Sequence, residues 1–492
     1  MLTMGVSPRQ PGRLVLLLAI ASSIVVVIVT VTVIGIVTGM APMTVMANER
    51  GDLRLVDAAR VQDAAAVQTL VNQQLPVDIA QPDGATALHW AAHWNNLQIA
   101  DLLIHAGADV NVTNELGVAP LSLACISGSA EMVERLLDRD ADANHALPTG
   151  VTSLMTCART GSVDAVRSLL DHGARVNEQE TVWGQTALMW AIAERHTDVV
   201  AALVAAGADI GHRTDRGFTP LLFAAQQGAV ESAAILLEAG TDVNEVGSDG
   251  SAALLVATES GHTDMVRFLL DAGADVHAIG TGRTALHASV QGARPDIATV
   301  LLDGGADPNA RLQSRLPRIA GDLSNLSGPM SWVGATPFWL AAKFTDREMM
   351  RLFADRGADT RLTTEDGTTP LMVAVGIGYV DGYDRYGNLR FDGYSARREQ
   401  NDLEAAKVAL ALGGDVTTVN EHGQTVMHGA AYLGSDAIVR FLADLGAEID
   451  RADNEGRTPL SIADGLYVAG TFVIQESTAA LLRQLGAEKP GD

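Results

Sequence analysis

Cysteine is almost missing from this chain: 492 residues hold only Cys125 and Cys157, and neither CxxC nor CxxCH occurs, so no cysteine motif for metal, haem or redox chemistry is present. Aromatics are scarce at 4%, while Ala, Leu, Gly and Val dominate, a balance that suits many small, similar helix contacts better than one bulky core. Lysine stands only at Lys343, Lys407 and Lys489, and the resulting bias to arginine reads as bacterial and GC-rich. Positive charge is also in deficit. The formal net charge is -25, and Arg9 and Arg13 are the only charges before Asn48, which leaves about -27 on the remainder. Such a body repels phosphate backbones, which excludes nucleic acid and favours a neutral or basic protein surface as partner. No HExxH, GxSxG or P-loop pattern occurs, and no cofactor or enzymatic activity is expected.

What the chain does have begins with a charge-free apolar run from Leu14 to Val37, longer than the roughly 20 residues a membrane-crossing helix needs. Arg9 and Arg13 precede it, so the positive-inside bias places everything after Val37 outside the cytoplasm. Val45, Met46 and Ala47 resemble a cleavage site, but the run exceeds a usual signal core, so residues 1–47 are either a signal peptide or a retained membrane anchor. The expected location is periplasmic or secreted, or inner-membrane anchored with the body outside.

The second feature is a period. Aligned on one position, Leu88, Leu121, Leu154, Leu188, Leu221, Leu254 and Leu286 follow at spacings of 33, 33, 34, 33, 33 and 32. The series continues at Phe338, Leu371, Met427 and Leu460, where steps of 52 and 56 mark insertions. Repeats of this length stack side by side, because one helix pair cannot cover its own apolar face. Each unit opens alike, as in Thr219-Pro220-Leu221, Thr336-Pro337-Phe338, Thr369-Pro370-Leu371 and Thr458-Pro459-Leu460, with His following at His89, His287 and His428. Gly-Ala-Asp recurs later in the units, as at Gly107-Ala108-Asp109, Gly207-Ala208-Asp209 and Gly357-Ala358-Asp359.

These openings and the Gly-Ala-Asp signature resemble the ankyrin-repeat family, over almost all of Gly51 to Glu488. The resemblance implies an all-α solenoid of helix-turn-helix units with β-hairpin-like fingers, about twelve repeats across residues 48–492, preceded here by one hydrophobic helix. Thr caps the first helix and Pro fits its first position. A second amphipathic helix follows, exemplified by Asp264 to Ala272, whose Met265, Val266, Phe268, Leu269 and Leu270 form the apolar stripe and which Gly273 closes. The atypical units near Leu53–Gly84 and Arg457–Glu488 read as caps. Cys125 and Cys157 fall on the first helices of neighbouring repeats. Stacked helices lie about 8–10 Å apart and a disulfide needs Cα atoms within about 7 Å, so two buried thiols are expected.

His89 and His93 are four apart on one helix face, yet no carboxylate or Cys stands at a spacing that completes a zinc site. The resemblance makes His89, His287 and His428 structural partners of Thr. Gly280 and Gly282 superficially fit a dinucleotide fingerprint but belong to a finger turn.

Family members bind partners on the concave face and finger tips, at positions the repeat does not constrain. Carried across, these are His93 and Trp94, Ile126 and Ser127, Arg159 and Thr160, Gln226 and Gln227, Lys343 and Phe344, and Tyr432 and Leu433, with Glu115, Leu116, Trp183, Arg216 and Phe218 on fingers. Large aromatics among them are natural binding anchors. Two insertions add to this surface. Arg311 to Val333 holds Arg311, Arg315, Arg318 and Trp332 against one acid, Asp322; Gly376 to Asn401 holds Phe391 and four of the six tyrosines, Tyr379, Tyr383, Tyr386 and Tyr394. Asp381, Asp384 and Asp392 do not fit a calcium loop. The expected function is an extracytoplasmic scaffold, monomeric, that binds another protein. An enzyme or metal protein with its site under the insertions, and a structural spacer, stand as alternatives.

Overall fold

A computed structural model describes residues 52–313, 332–378, 396–468 and 471–488. The apolar run Leu14–Val37, with the hydrophobic helix expected there, lies outside the described residues; among the described residues no helix is long and apolar enough to cross a membrane.

The described residues form two compact units, one over 52–248 and one within 249–488. In the first unit, helix pairs run from Arg54–Arg60 and Ala64–Asn72 to Pro220–Gln227 and Val230–Glu238. In the second they run from Ala253–Ser260 and Thr263–Asp271 to Pro459–Asp464 and Glu476–Gln484. Within each unit, first helices stack on first helices and second on second. Leu88, Leu121, Leu154, Leu188 and Leu221 are buried along one seam of the first unit, and Leu254, Leu286, Phe338, Leu371, Met427 and Leu460 along that of the second.

The helices begin where their side chains dictate. Thr219 stays extended and its Oγ1 accepts the Leu222 N–H at 3.3 Å, while Pro220 takes the first helical position. Thr336, Thr369 and Thr458 do the same before Pro337, Pro370 and Pro459. Each such cap contributes about 1 kcal/mol. Where His follows, it completes the cap and reaches onward. His89 Nδ1 accepts the Thr86 N–H at 3.1 Å, so Nε2 carries the proton and donates to Val118 O at 3.0 Å in the next finger. His287 and His428 repeat this geometry toward Ala335 O and Arg457 O. In the second helix Thr263–Asp271, Met265, Val266 and Leu269 are buried, whereas Phe268 and Leu270 are only half-buried.

Past the Gly-Ala-Asp turn the repeats are joined by a ladder of asparagines. Asn111, Asn144 and Asn177 each accept the N–H of the turn residue one repeat on, Asp142, Arg175 and Asp209, at 2.8 Å. Their amides donate to Asp140 O, Gly173 O and Gly207 O of the same turns. At the next equivalent position stands Gly211, whose lack of a side chain leaves that rung out.

Two expectations change. Cys125 and Cys157 are joined in a disulfide, with Cα atoms 4.6 Å apart. The 8–10 Å spacing is between helix axes; backbone on the facing sides, about 2.3 Å off each axis, comes several ångströms closer, and small neighbours such as Ala124 and Ala158 permit it. To the expected helical solenoid is added one short antiparallel ribbon, Leu466–Val468 with Thr471–Val473, after Asp464 where the last unit departs from the repeat. Secondly, the end of the 376–401 insertion is helix, since Ala396–Ala411 runs 16 residues where other second helices run eight or nine.

Candidate partner-binding surface

The ends of the first helices carry the unconstrained positions. In the first unit, Trp94 is 41% exposed, its ring 4.6 Å from His93, which itself stands edge-on to Trp90 at 5.9 Å. Burial holds the His93 imidazole below its usual pKa, so the cluster is neutral at pH 7. One repeat on, Ile126 is half-buried and Ser127 exposed; then Arg159 and Thr160 are both half-buried. On the fingers, Glu115 is exposed and Leu116 is 46% exposed. Trp183 is half-buried beneath the Arg216 guanidinium, 4.6 Å from the ring centroid, and Phe218 packs edge-on to Phe223 at 5.6 Å. Gln227 is half-buried, but Gln226 is buried and leaves the surface. Sequence reasoning passed over Trp190 and Glu194, because that repeat reads Ala-Ile in place of Ala-Ala; the tryptophan four residues after Thr186, matching Trp90 after Thr86, was the available signal.

In the second unit, the helix Pro337–Lys343 is where the roots of both insertions meet. Trp332, returning from the first, lies 6.4 Å from Phe344 and 6.0 Å from Trp339. Lys343 Nζ donates to Ile377 O at 3.3 Å and to Gly378 O, carbonyls at the start of the second. Desolvation, aided by Arg398 and opposed by Asp402, pushes this ammonium down to about 7. Gly376 takes φ +113°, and a Cβ there would stand 2.5 Å from Leu433 Cγ, so only glycine allows this approach. The same contact buries Leu433, which is not the exposed residue expected. Tyr432 beside it is half-buried, and burial raises its phenol pKa. At the far end of the insertion, Glu399 accepts from Ser435 Oγ at 2.7 Å and from the Ala437 N–H at 3.1 Å, holding the start of Asp436–Asp444. Tyr379, Tyr383, Tyr386, Phe391 and Tyr394 lie outside the described residues.

Both nitrogens of His89 are engaged in the cap and finger bonds above, so it has no lone pair to offer a metal. Among the described residues no group of three or more His, Cys, Asp or Glu is placed to hold one.

Stacked helix pairs presenting side chains the stack does not need define a repeat protein built for contact. The family description "Ankyrin repeats (3 copies)" matches residues 103–180, 121–214, 154–247, 221–311 and 394–468, and "Ankyrin repeat" matches 83–115. These ranges span more than half the chain, which belongs to the ankyrin-repeat family. Repeats of this family are in general modules of protein–protein interaction. The chain is 29% identical over 131 residues to the transient receptor potential cation channel subfamily A member 1 homolog of Caenorhabditis elegans, across 27% of this chain and 9% of that protein. It is 30% identical over 176 residues to human neurogenic locus notch homolog protein 2, across 36% of this chain and 5% of that one. The matches therefore span under a tenth of either relative's length. Among solved structures, the human ASB11 ankyrin repeat domain is similar at 27% identity and a TM-score of 0.41, covering 45% of this chain and 98% of that one.

Proposed function

We propose that this chain is an extracytoplasmic scaffold that binds another protein through its concave face, finger tips and insertions. The observation that carries the reading is the exposure of large apolar groups at positions the stack leaves free, Trp94 and Leu116 above all. Such groups offer much contact area at small entropic cost, and they are the side chains that dominate interfaces. The meeting of both insertion roots at Lys343 and Phe344 supports the same use in the second unit. For location, the Cys125–Cys157 bridge supports an oxidising compartment. The apolar run behind Arg9 and Arg13 supports export from a bacterial cytoplasm, with the membrane held through Leu14 to Val37 if the segment is retained.

Proximity labelling from the full chain in its native cell tests this. One protein should be labelled by the wild type, and Trp94→Ala with Phe344→Ala should cut the labelling several-fold at unchanged thermal stability. Equal labelling by the double variant would remove these residues from the site. Alkylation of cells under non-reducing conditions tests location: Cys125 and Cys157 should be unreactive until a reductant is added.

A further inference from the structure

Of the arginines in the first unit, two are half-buried, Arg135 and Arg159. Arg135 is spoken for by Asp101, 3.1 Å away. Arg159 lies over the Trp190 ring, 5.9 Å from its centroid, and its guanidinium makes no hydrogen bond among the described residues. Glu194 acts on it through space without bonding to it. A guanidinium that has lost part of its water and gained no acceptor is costly, and its planar five-donor fork matches a carboxylate. Trp190 shows the same deficit. Trp90, at the corresponding place three repeats earlier, donates its indole N–H to Gln81 Oε1 at 3.2 Å, whereas the Trp190 N–H has no acceptor.

The backbone beneath this arginine is fixed on three sides. His196 Nε2 donates to Arg159 O at 3.0 Å. Thr160 Oγ1 donates to Cys125 O and Cys157 O at 3.1 and 3.0 Å, and the Cys125–Cys157 bridge ties the two helices together there. A donor held still on a rigid base loses little entropy when it binds. Earlier in the same row stand half-buried Ile126 and exposed Trp94, an apolar approach to a single cation.

We propose that Arg159, laid over Trp190, reads a carboxylate: the partner segment docked on this row presents an acidic side chain to it, with apolar side chains toward Ile126 and Trp94. This rests on the docking surface proposed above and names its chemistry. The acidic body repels anions at long range, so a lone carboxylate in an apolar setting fits, and an acidic run does not. Among the described residues, the exposed Glu194 is the carboxylate whose charge acts on Arg159, and it leaves the guanidinium's hydrogen-bonding edge open.

The test uses the full chain with its disulfide intact and bead-bound short peptides mixing Leu, Phe, Val and Ser, made in forms carrying one Glu, one Gln or one Lys. The Glu form should retain about tenfold more protein than the Gln form, the worth of one charge-assisted pair. Arg159→Met, which keeps an unbranched stem over Trp190, should bring that ratio to about one at unchanged melting temperature, and Arg159→Lys should leave an intermediate ratio. Equal retention of all forms, preference for Lys, or a ratio that survives Arg159→Met overturns the carboxylate assignment while the docking surface stands. Retention of no form at all overturns both.

Discussion

The two units are made of the same repeat and are held together by different means. Residues 52–248 keep an unbroken period and are joined by an apolar seam, an asparagine ladder and one covalent bridge. Residues 249–488 are interrupted twice, and polar side chains make the joins around the gaps. Arg311 Nη1 donates to Thr363 O at 2.9 Å, Lys343 holds Ile377 O and Gly378 O, and Glu399 holds Ser435 and Ala437. The regular stack has such joins too, Arg213 Nη1 donating to Val246 O at 2.8 Å, but in the interrupted one they also bridge an insertion, as from Arg311 to Thr363. The first unit should therefore answer to redox conditions and the second to pH.

The largest effect should come from the bridge. Cys125→Ala with Cys157→Ala, or reduction of the wild type, should lower the stability of the first unit by about 3–4 kcal/mol, the loop-closure value for a separation of 32 residues. Hydrogen exchange should speed up in 120–171 and stay unchanged in 253–303. Equal acceleration in both would end the contrast.

Acid should act more on the second unit. His287 is fully buried with its pKa pushed down by desolvation to about 4 from 6.5. Below 6.5 the unfolded chain takes up a proton that the folded one refuses, so stability is full above 6.5 and falls as pH drops toward 4. The loss is about 3 kcal/mol. Urea unfolding at pH 7.5 and 4.5 should show it, and His287→Gln should flatten it. His89 is shifted in the same direction in the first unit, so some loss belongs there too.

Lys343 should give a trend of the same sign at the other end of the scale. Its folded pKa lies below the unfolded 10.5, so the unfolded state binds more protons between about 7 and 10.5 and stability rises with pH across that window. Within that window the slope approaches about 1.4 kcal/mol per pH unit. Lys343→Met should abolish the rise.

Much of this architecture could be read from residues alone, because Thr-Pro-Leu, Gly-Ala-Asp and the step near 33 are local patterns that each determine a turn or a cap. What escaped depended on distances between repeats. The bridge was missed because an axis spacing was taken for a backbone spacing. Gln226 and Leu433 were expected outside because the pattern marks their place in the helix, whereas Leu433 is covered by Gly376 from another repeat. The pairing of Lys343 with Ile377 crosses 34 residues and has no sequence signature.

The smallest prediction repairs the gap in the ladder. Gly211 has an ordinary negative-φ backbone, and an added Cβ would come no nearer than 3.6 Å, to Asp209 Oδ1. Gly211→Asn should restore the rung and stabilise the first unit by about 1 kcal/mol. No gain on thermal unfolding would show that the seam, and not the ladder, decides how these repeats hold.

The paired insertion roots at Lys343 and Phe344 have a practical consequence. Lengthening a loop costs only logarithmically in closure entropy, and both loops here leave from and return to anchored ends. Foreign peptides of other lengths should be graftable at either site while the neighbouring helices keep their register, making this pair of turns a display platform.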